Sequence, residues 1–249
     1  MTKLSRLLLL PALVALAPAP SRTTVFMIGD STMADRPTPE QNPYRGWGQL
    51  LPSFFDSTVT VRNFAVNGRS TKSFIDQGRW AAVLGQLQRG DYVIIQFGHN
   101  DEKKEDSARY TDPATSYRRN LERFVNEARA KGATPILCTS IVRRKFDASG
   151  ALVDTHGAYP EATREVARAL DVPLVDLQRS TGELVSKAGP EGSKALFVWV
   201  APGAWPMYPK GVQDDTHLSL AGATAVARLA ARGIRATTLP LATHVVDID

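Results

Sequence analysis

Short apolar runs alternate along the chain with segments of helical periodicity, and this alternation constrains the fold most strongly. Five runs are predicted strands: Thr24–Ile28, Val59–Ala65, Tyr92–Phe97, Pro135–Ile141 and Val172–Leu177. They show little alternation between inward and outward residues, which is typical of strands covered on both faces. Repeated strand–helix–strand connections predict right-handed crossovers and a parallel sheet with helices on both sides. The predicted fold class is therefore α/β.

Apolar residues between the predicted strands recur at helical spacing. The predicted buried stripes are Trp80, Val83, Leu84 and Leu87; Tyr117, Leu121, Phe124, Val125 and Ala128; and Ala162, Val166 and Leu170. Ser219 is expected to cap a last helix. The stripe of that helix is predicted at Leu220, Ala223, Val226, Leu229 and Ala230.

The first residues follow the order of a secretory signal peptide. Lys3 and Arg6 give a basic start, the apolar run LLLLPALVALA follows, and then the small residues and prolines of APAPS. The run is shorter than the ~20 apolar residues that span a bilayer. We expect residues 1–22 to be a signal peptide with an approximate cleavage point, and residues 23–249 to form one domain. A disordered or buried N-terminal stretch is the alternative. Export predicts a secreted or periplasmic protein that does not associate with a membrane after signal removal.

Charge and cysteine content exclude several functions. The formal net charge is +5, and the basic residues are scattered rather than gathered in a block, so we expect no nucleic-acid partner. Cys138 is the only cysteine and lies in an apolar run, which predicts a buried thiol without a disulfide. No HExxH or Cys/His spacing is present, so no metal and no cofactor are expected.

Polar residues follow the first three predicted strands. Ser31 stands in GDST, Gly68 in AVNGRS and Asn100 in FGHND. In a parallel sheet the loops at the carboxyl ends of the strands open on one edge, where sites are found. We expect these three residues to converge there.

A serine hydroxyl needs an adjacent base to act as a nucleophile. Of the four histidines, His217 has the most suitable context, because Asp214 stands three residues earlier and can orient its ring. Asp215 remains an alternative orienting residue. The backbone N–H groups of Ser31 and Gly68 and the side-chain amide of Asn100 can supply donors to an oxyanion.

Each residue also has a structural interpretation on its own. Asp30 and Ser31 suit a turn or a helix cap, and Gly68 suits a turn. The segment His99-Asn100-Asp101 suits a polar turn, and Asp214 suits the dipole of a helix N-terminus. Four sequence blocks thus carry the candidate residues: GDST, AVNGRS, FGHND and the pair Asp214 and His217. Their occurrence together favours a catalytic role over the separate structural interpretations.

The four blocks resemble the SGNH (GDSL-like) hydrolase superfamily. A narrower resemblance, to the rhamnogalacturonan acetylesterase group (carbohydrate esterase family 12), extends through IGDSTMAD, GWGQLL, NFAVNGRSTKSFIDQGRW, VIIQFGHNDEK and YPKGVQDDTHLSLAGA. It implies a three-layer α/β/α sandwich around a five-stranded parallel sheet, the flavodoxin-like SGNH hydrolase fold. It also implies a serine esterase that removes acetyl groups from plant cell-wall polysaccharide. Ser31 would be the nucleophile, His217 the base and Asp214 its partner, with Ser31, Gly68 and Asn100 as the oxyanion hole.

Residues that could contact a polysaccharide lie near these blocks. The aromatic residues Trp199, Trp205 and Tyr208 could wall a cleft or pack in the core. Basic residues could meet uronate carboxylates or be solvated surface: Arg69, Lys72 and Lys210.

Two other functions remain open at this point. One is a lipase or thioesterase of the same superfamily, which would need an apolar groove for long acyl chains. The other is a non-catalytic polysaccharide-binding protein. The expected partner is an acetylated polysaccharide or oligosaccharide, and the sequence predicts no oligomeric state.

Overall fold

The computed structural model describes residues 23–248. The predicted signal peptide at residues 1–22 lies outside the described residues. A central sheet contains five parallel strands in the order β2-β1-β3-β4-β5. They are β1 (Thr23–Gly29), β2 (Val59–Asn63), β3 (Tyr92–Gln96), β4 (Thr134–Cys138) and β5 (Leu174–Val175). The predicted parallel sheet is thereby confirmed.

All five strands differ from the predicted bounds by at least one residue, and the largest differences are in β2, β4 and β5, which begins at Leu174 rather than Val172. The side chain of Asn63 accepts a hydrogen bond from the Ala65 N–H, and this turn ends β2 before Ala65. The side chain of Asp176 accepts from the Arg179 N–H and caps a helix, so Leu177 is helical rather than the end of β5. β4 stops at Cys138, short of the predicted Ile141.

Helices cover both faces of the sheet. They are α1 (Trp47–Leu50), α2 (Thr71–Asp76), α3 (Arg79–Leu84), α4 (Ser116–Ala130), α5 (Tyr159–Ala169), α6 (Leu177–Gly192) and α7 (Leu220–Arg235). Successive residues of β1 enter different cores. Val25 and Met27 pack with α1, α6 and α7 on one face. Phe26 and Ile28 pack with α2 to α5 on the other face. The fold is therefore a three-layer α/β/α sandwich.

The predicted helical stripes mostly face these cores. All five predicted positions of the α4 stripe are buried. Ser219 caps α7 by accepting from the Gly222 N–H at 3.1 Å, as expected. Leu220 was predicted on the buried stripe and is instead 55% exposed. It is the first residue of α7, and the buried stripe begins only at Gly222 and Ala223, where the helix meets the core.

An antiparallel hairpin that the sequence analysis did not predict stands beside the main sheet. It consists of β6 (Phe197–Val200) and β7 (Val212–Leu218). β7 is tied to the loop after β1, because the Arg45 N–H donates to the Leu218 carbonyl at 3.0 Å. The start of α7 packs closely on the residue that precedes β6, since a Cβ at Gly222 would lie 1.8 Å from the Leu196 carbonyl oxygen. These contacts fix where β7 presents its side chains.

Two further features concern the described residues only. Cys138 is buried at the end of β4, as predicted. Among residues 23–248, no helix combines the length and apolar character that crossing a bilayer requires.

Candidate active site

The candidate site lies at the carboxyl edge of the sheet. β1 and β3 are neighbours, and the strand order reverses around them, which is where open α/β sheets place ligands. Ser31 follows β1 and Asn100 follows β3, and Gly68 follows the adjacent β2. The three residues line one cleft of about 330 Å³ together with Asp214 and His217. The structure thus brings the five predicted catalytic and oxyanion residues together.

A chain of hydrogen bonds links Ser31, His217 and Asp214. The Ser31 Oγ lies 2.8 Å from His217 Nε2. On the other side of the ring, His217 Nδ1 lies 2.8 Å from Asp214 Oδ2. No helix begins at Ser31, so its hydroxyl is a partner of histidine rather than a helix cap. This order of hydroxyl, imidazole and carboxylate suits a serine nucleophile with a general base.

Asp214 is held in its ionised form. Burial raises the pKa of this carboxyl, but hydrogen bonds and charge from His217 outweigh burial and bring the pKa down to about 2. The backbone N–H groups of Thr216 and His217 also donate to its Oδ1, at 2.8 and 2.9 Å. A carboxylate facing Nδ1 favours the tautomer that carries its proton there. Nε2 is then free to accept the proton of Ser31.

Asp215, the alternative orienting residue, forms no hydrogen bond with the His217 side chain and binds other side chains instead. Its Oδ1 accepts from Arg144 Nη1 and from Trp199 Nε1, both at 2.8 Å. This pairing holds β6 and β7 to the loop after β4. Asp214 is therefore the residue that orients His217.

The Asn100 amide is held by a contact at each end. Its Nδ2 donates to the Arg69 carbonyl at 3.1 Å, and its Oδ1 accepts from Arg109 Nη1 at 3.4 Å. These partners fix which end of the amide is nitrogen, because a guanidinium only donates and a carbonyl only accepts. The amide nitrogen has a second proton to offer to the cleft. Gly68 has a φ of 73°, a left-handed backbone that glycine adopts without strain.

Buried polar groups hold the Ser31 turn. Asp30 is fully buried, and its Oδ1 accepts from the N–H and the hydroxyl of Thr32 at 2.9 and 2.8 Å. Burial raises the pKa of Asp30. Gln96 donates to the Thr32 hydroxyl at 3.1 Å and accepts from Trp47 Nε1 at 2.6 Å. Asp30 therefore has the predicted turn role, and the same turn holds Ser31 in position.

Tyr44 is a site residue that the sequence analysis missed. Its hydroxyl donates to Asp214 Oδ2 at 3.2 Å, and its ring meets the His217 ring edge-on at 5.7 Å between centroids. Burial raises the pKa of Tyr44, as does the neighbouring Asp214 charge, so the phenol stays protonated and able to donate. No local pattern signals this contact, because 170 positions separate the two residues.

The other three histidines lie outside the hydrogen-bonded chain of Ser31, His217 and Asp214. His156 contacts Glu102 Oε2 and the Ile141 carbonyl, both at 2.8 Å, and His244 contacts Asp56 at 3.0 Å. His99 is buried edge-on against His156, and burial lowers its pKa.

The predicted substrate-contact residues lie in four different places, three of them cavities. Tyr208 lines the cleft itself, beside Tyr44. Arg69 and Lys72 line an adjoining groove, which shares Gly68 and Arg109 with the cleft.

Trp199 and Lys210 line a separate groove on the hairpin. Both Arg144 and Lys194 lie 4.7 Å from the centroid of the Trp199 ring. Trp205 is half-buried in the 201–211 connection and is not among the residues that line any of these three cavities. Between residues 23 and 248, no cluster of three or more His, Cys, Asp or Glu side chains could hold a metal ion.

Comparison with known proteins gives matches over most of the chain. Residues 27–225 match the model of the GDSL-like Lipase/Acylhydrolase family. Rhamnogalacturonan acetylesterase RhgT of Bacillus subtilis is 46% identical over 90% of this chain and 94% of its own length.

Solved structures share the fold. The crystal structure of YXIM from Bacillus subtilis superposes with a TM-score of 0.73 at 27% identity, covering 86% of this chain and 56% of that chain. Axe2, an acetylxylan esterase from Geobacillus stearothermophilus, gives a TM-score of 0.61 at 19% identity over 86% of this chain and 94% of its own. The five-stranded α/β architecture is therefore that of SGNH hydrolase structures.

Proposed function

Because the chain belongs to the GDSL-like lipase/acylhydrolase family, whose members hydrolyse carboxylic esters, we propose that it is a serine esterase acting on acetylated plant cell-wall polysaccharide. Its substrate is an O-acetylated pectin, with rhamnogalacturonan as the first candidate. The observation that carries this proposal is the hydrogen-bonded chain from Ser31 through His217 to Asp214, in a cleft that also presents Gly68 and Asn100.

The reaction proceeds in two halves. His217 Nε2 takes the proton of the Ser31 hydroxyl while the Ser31 oxygen attacks the acetyl carbonyl carbon. The carbonyl oxygen becomes an oxyanion, which the N–H groups of Ser31 and Gly68 and the Asn100 amide stabilise. When the tetrahedral intermediate collapses, the bond to the sugar oxygen breaks and His217 gives that oxygen its proton. Ser31 is left as an acetyl ester.

Water completes the cycle. His217 takes a proton from a water molecule that attacks the acetyl carbon of Ser31, and returns the proton to the Ser31 oxygen as the ester breaks. The products are acetate and free enzyme. The ionised Asp214 stabilises the imidazolium that forms in both halves, because it accepts from Nδ1 at 2.8 Å.

The residues that line the cleft suit a substrate in which a small acyl group is attached to a polar molecule such as a sugar. Twelve described residues line the cleft, and none has an aliphatic side chain: Ser31, Arg36, Asn42, Tyr44, Asn67, Gly68, Asn100, Lys103, Arg109, Tyr208, Asp214 and His217. A long acyl chain needs an apolar wall to leave water. The lining therefore favours a sugar acetate over the lipid or thioester substrates considered as alternatives.

Sugar contacts follow from the same lining. Tyr208 offers an aromatic side chain beside the triad. The groove that continues past Gly68 and Arg109 has Arg69 and Lys72 on its walls and gives a polymer room to extend. Sugar stacking by Trp199 and Trp205, and carboxylate binding by Lys210, remain proposals for more distant units of the polymer.

The proposal is tested by acetate release from acetylated pectin and from acetylated xylan, with the wild type beside Ser31→Ala. Faster release from pectin, lost in the variant, is the expected result. Release mainly from xylan would keep the reaction and change the substrate. Failure of a folded wild type to release acetate from either polymer would contradict the proposal and favour a polysaccharide-binding role.

We also propose that the protein is exported, as a secreted or periplasmic enzyme. The support is the order of charged, apolar and small residues in the first 22 positions, and a polymeric substrate outside the cell fits this location. N-terminal sequencing of protein recovered outside the cytoplasm is expected to find a chain that begins near residue 23. Recovery of a chain that still begins at Met1 would contradict it.

A further inference from the structure

The catalytic cleft carries a surplus of positive charge. Three of its lining residues are cations: Arg36, Lys103 and Arg109. Among the described residues that line it, Asp214 is the only acid. Asp214 already accepts hydrogen bonds from His217 and Tyr44, so it is committed to the triad.

Arg36 is a half-buried cation that forms no direct ion pair with a carboxylate in the described part of the chain, although the charges of Asp214 and Asp30 act on it from farther away. Its Nη2 donates to the Ser31 carbonyl at 2.9 Å, and its guanidinium lies 5.6 Å from the Tyr44 ring centroid. Its Nε is buried and has no hydrogen-bond partner. Removing a charged donor from water without compensation costs free energy, which an anionic ligand in the cleft would offset.

Lys103 lines the same cleft and belongs to the loop that carries Asn100. Its backbone N–H donates to the Asn100 carbonyl at 3.4 Å, which keeps it close to the oxyanion hole. Its ammonium group makes no hydrogen bond or ion pair within residues 23–248. Arg109 differs, because its Nε pairs with Asp106 at 2.5 Å and its Nη1 contacts Asn100.

In the adjoining groove past Gly68 and Arg109, the cations have partners within the protein. Lys72 pairs there with Asp76 at 2.7 Å, and Arg69 donates to Gln77 and to the Asn67 carbonyl. Among the described cations that line the cleft and this groove, Lys103 is the one whose charged group has no acceptor, and Arg36 is the one with a buried N–H left without a partner. This difference between the cleft and the groove indicates a site for negative charge beside Ser31.

We propose that Arg36 and Lys103 bind the carboxylates of uronate units next to the scissile acetyl ester, and so select acidic acetylated polysaccharide over neutral polymers. The inference rests on the proposed function and names residues that determine its specificity. A guanidinium and an ammonium are the side chains suited to a sugar carboxylate. Arg36 also holds the Ser31 carbonyl, so it links substrate binding to the position of the nucleophile.

The test compares an anionic and an uncharged substrate. The kcat/KM ratio for acetylated polygalacturonate over p-nitrophenyl acetate is measured for wild type, Lys103→Gln and Lys103→Arg. Losing one partly exposed charge pair predicts a fall of about fivefold in this ratio for Lys103→Gln. Lys103→Arg keeps the charge and is expected to restore most of the ratio.

Lys104→Gln is the matched control. Lys104 is the next residue, is exposed and does not line the cleft, so its loss changes the net charge equally. We expect this variant to keep the wild-type ratio. An equal fall in Lys104→Gln and Lys103→Gln would overturn the proposal, because it would point to overall charge alone.

Arg36→Gln and Arg36→Lys test the other cation. Both variants lose the geometry of the guanidinium at the Ser31 carbonyl, but only Arg36→Gln loses the charge. The ratio is expected to fall further in Arg36→Gln than in Arg36→Lys, and the dependence of KM for the polymer on salt is expected to weaken. Wild-type ratios in both the Lys103→Gln and the Arg36→Gln variants would refute the carboxylate site. A wild type that hydrolyses neither substrate would instead refute the proposed function.

Discussion

The oxyanion role of Asn100 leads to a sharp prediction, because its amide is held in one orientation. Asn100→Ala removes one of three proposed donors while leaving the triad untouched. A donor of this kind stabilises the transition state by about 3 kcal/mol, so kcat is expected to fall by about two orders of magnitude. KM is expected to change much less, because the donor acts on charge that develops only in the transition state.

The structure also sets the effect of this substitution on stability. Asn100 loses its contacts with the Arg69 carbonyl and with Arg109, at 3.1 and 3.4 Å. Two such hydrogen bonds contribute about 1–2 kcal/mol together, which corresponds to a fall in Tm of about 5 °C in a domain of this size. The protein is therefore expected to remain folded at assay temperature while losing most of its activity.

The assay is steady-state hydrolysis of p-nitrophenyl acetate, with thermal unfolding measured on the same samples. Asn120→Ala is the control, because the Asn120 amide also donates one hydrogen bond, to the Thr71 hydroxyl at 2.9 Å, but lies outside the cleft. It is expected to lower Tm without lowering kcat. A kcat for Asn100→Ala close to that of the control would refute the reasoning.

Three further predictions follow from individual contacts. Tyr44→Phe loses the 3.2 Å hydrogen bond to Asp214 and is expected to lower kcat/KM about fivefold in steady-state assays. Burial raises the pKa of Asp101 from 3.8 to about 7, so the free energy of unfolding is expected to fall as pH rises through that window. Urea unfolding at several pH values is expected to show this fall in wild type and a smaller fall in Asp101→Asn, where the raised pKa of the buried Asp30 still contributes. Arg144→Met removes the ion pair with Asp215, the hydrogen bond to the Pro190 carbonyl and the contact with the Trp199 ring, and is expected to cost about 2–3 kcal/mol in urea unfolding, with kcat unchanged.

Much of the fold could be predicted from the sequence, because the strands carry their signal locally. The β1 and β3 runs are apolar through both faces, and only a sheet covered on both sides buries them. Parallel strands place their carboxyl ends on one edge of the sheet. Strand order alone therefore predicts that Ser31, Gly68 and Asn100 converge there. Their catalytic roles stay predictions until the variants are measured.

The rest of the site depends on contacts between distant segments. Tyr44 reaches Asp214 only because Arg45 pairs with Leu218 and brings its loop to β7. The sequence leaves two roles open for Trp199, a wall of the cleft or a place in the core. The hairpin register places it opposite Gln213, where its indole N–H donates to Asp215 and its side chain lines the hairpin groove. No periodicity within either segment encodes such pairings.

The ion pairs of the basic residues are likewise only partly predictable from the sequence. The sequence shows that Arg36, Lys72 and Lys103 are basic, but not which of them have acidic partners. Lys72 meets Asp76 one helical turn away, a spacing that could have been noticed. The unpaired state of Arg36 and Lys103 becomes visible only when all loops at the sheet edge are in place.

Detection of the acetyl-enzyme tests the central claim most directly. Enzyme mixed with p-nitrophenyl acetate is quenched in acid within the first turnovers, digested and examined by mass spectrometry, with Ser31→Ala treated in parallel. The account predicts an acetyl group on the Ser31 side chain of the wild type, and neither that adduct nor turnover in the variant. An acetyl group on a different residue, or wild-type turnover by Ser31→Ala, would contradict it.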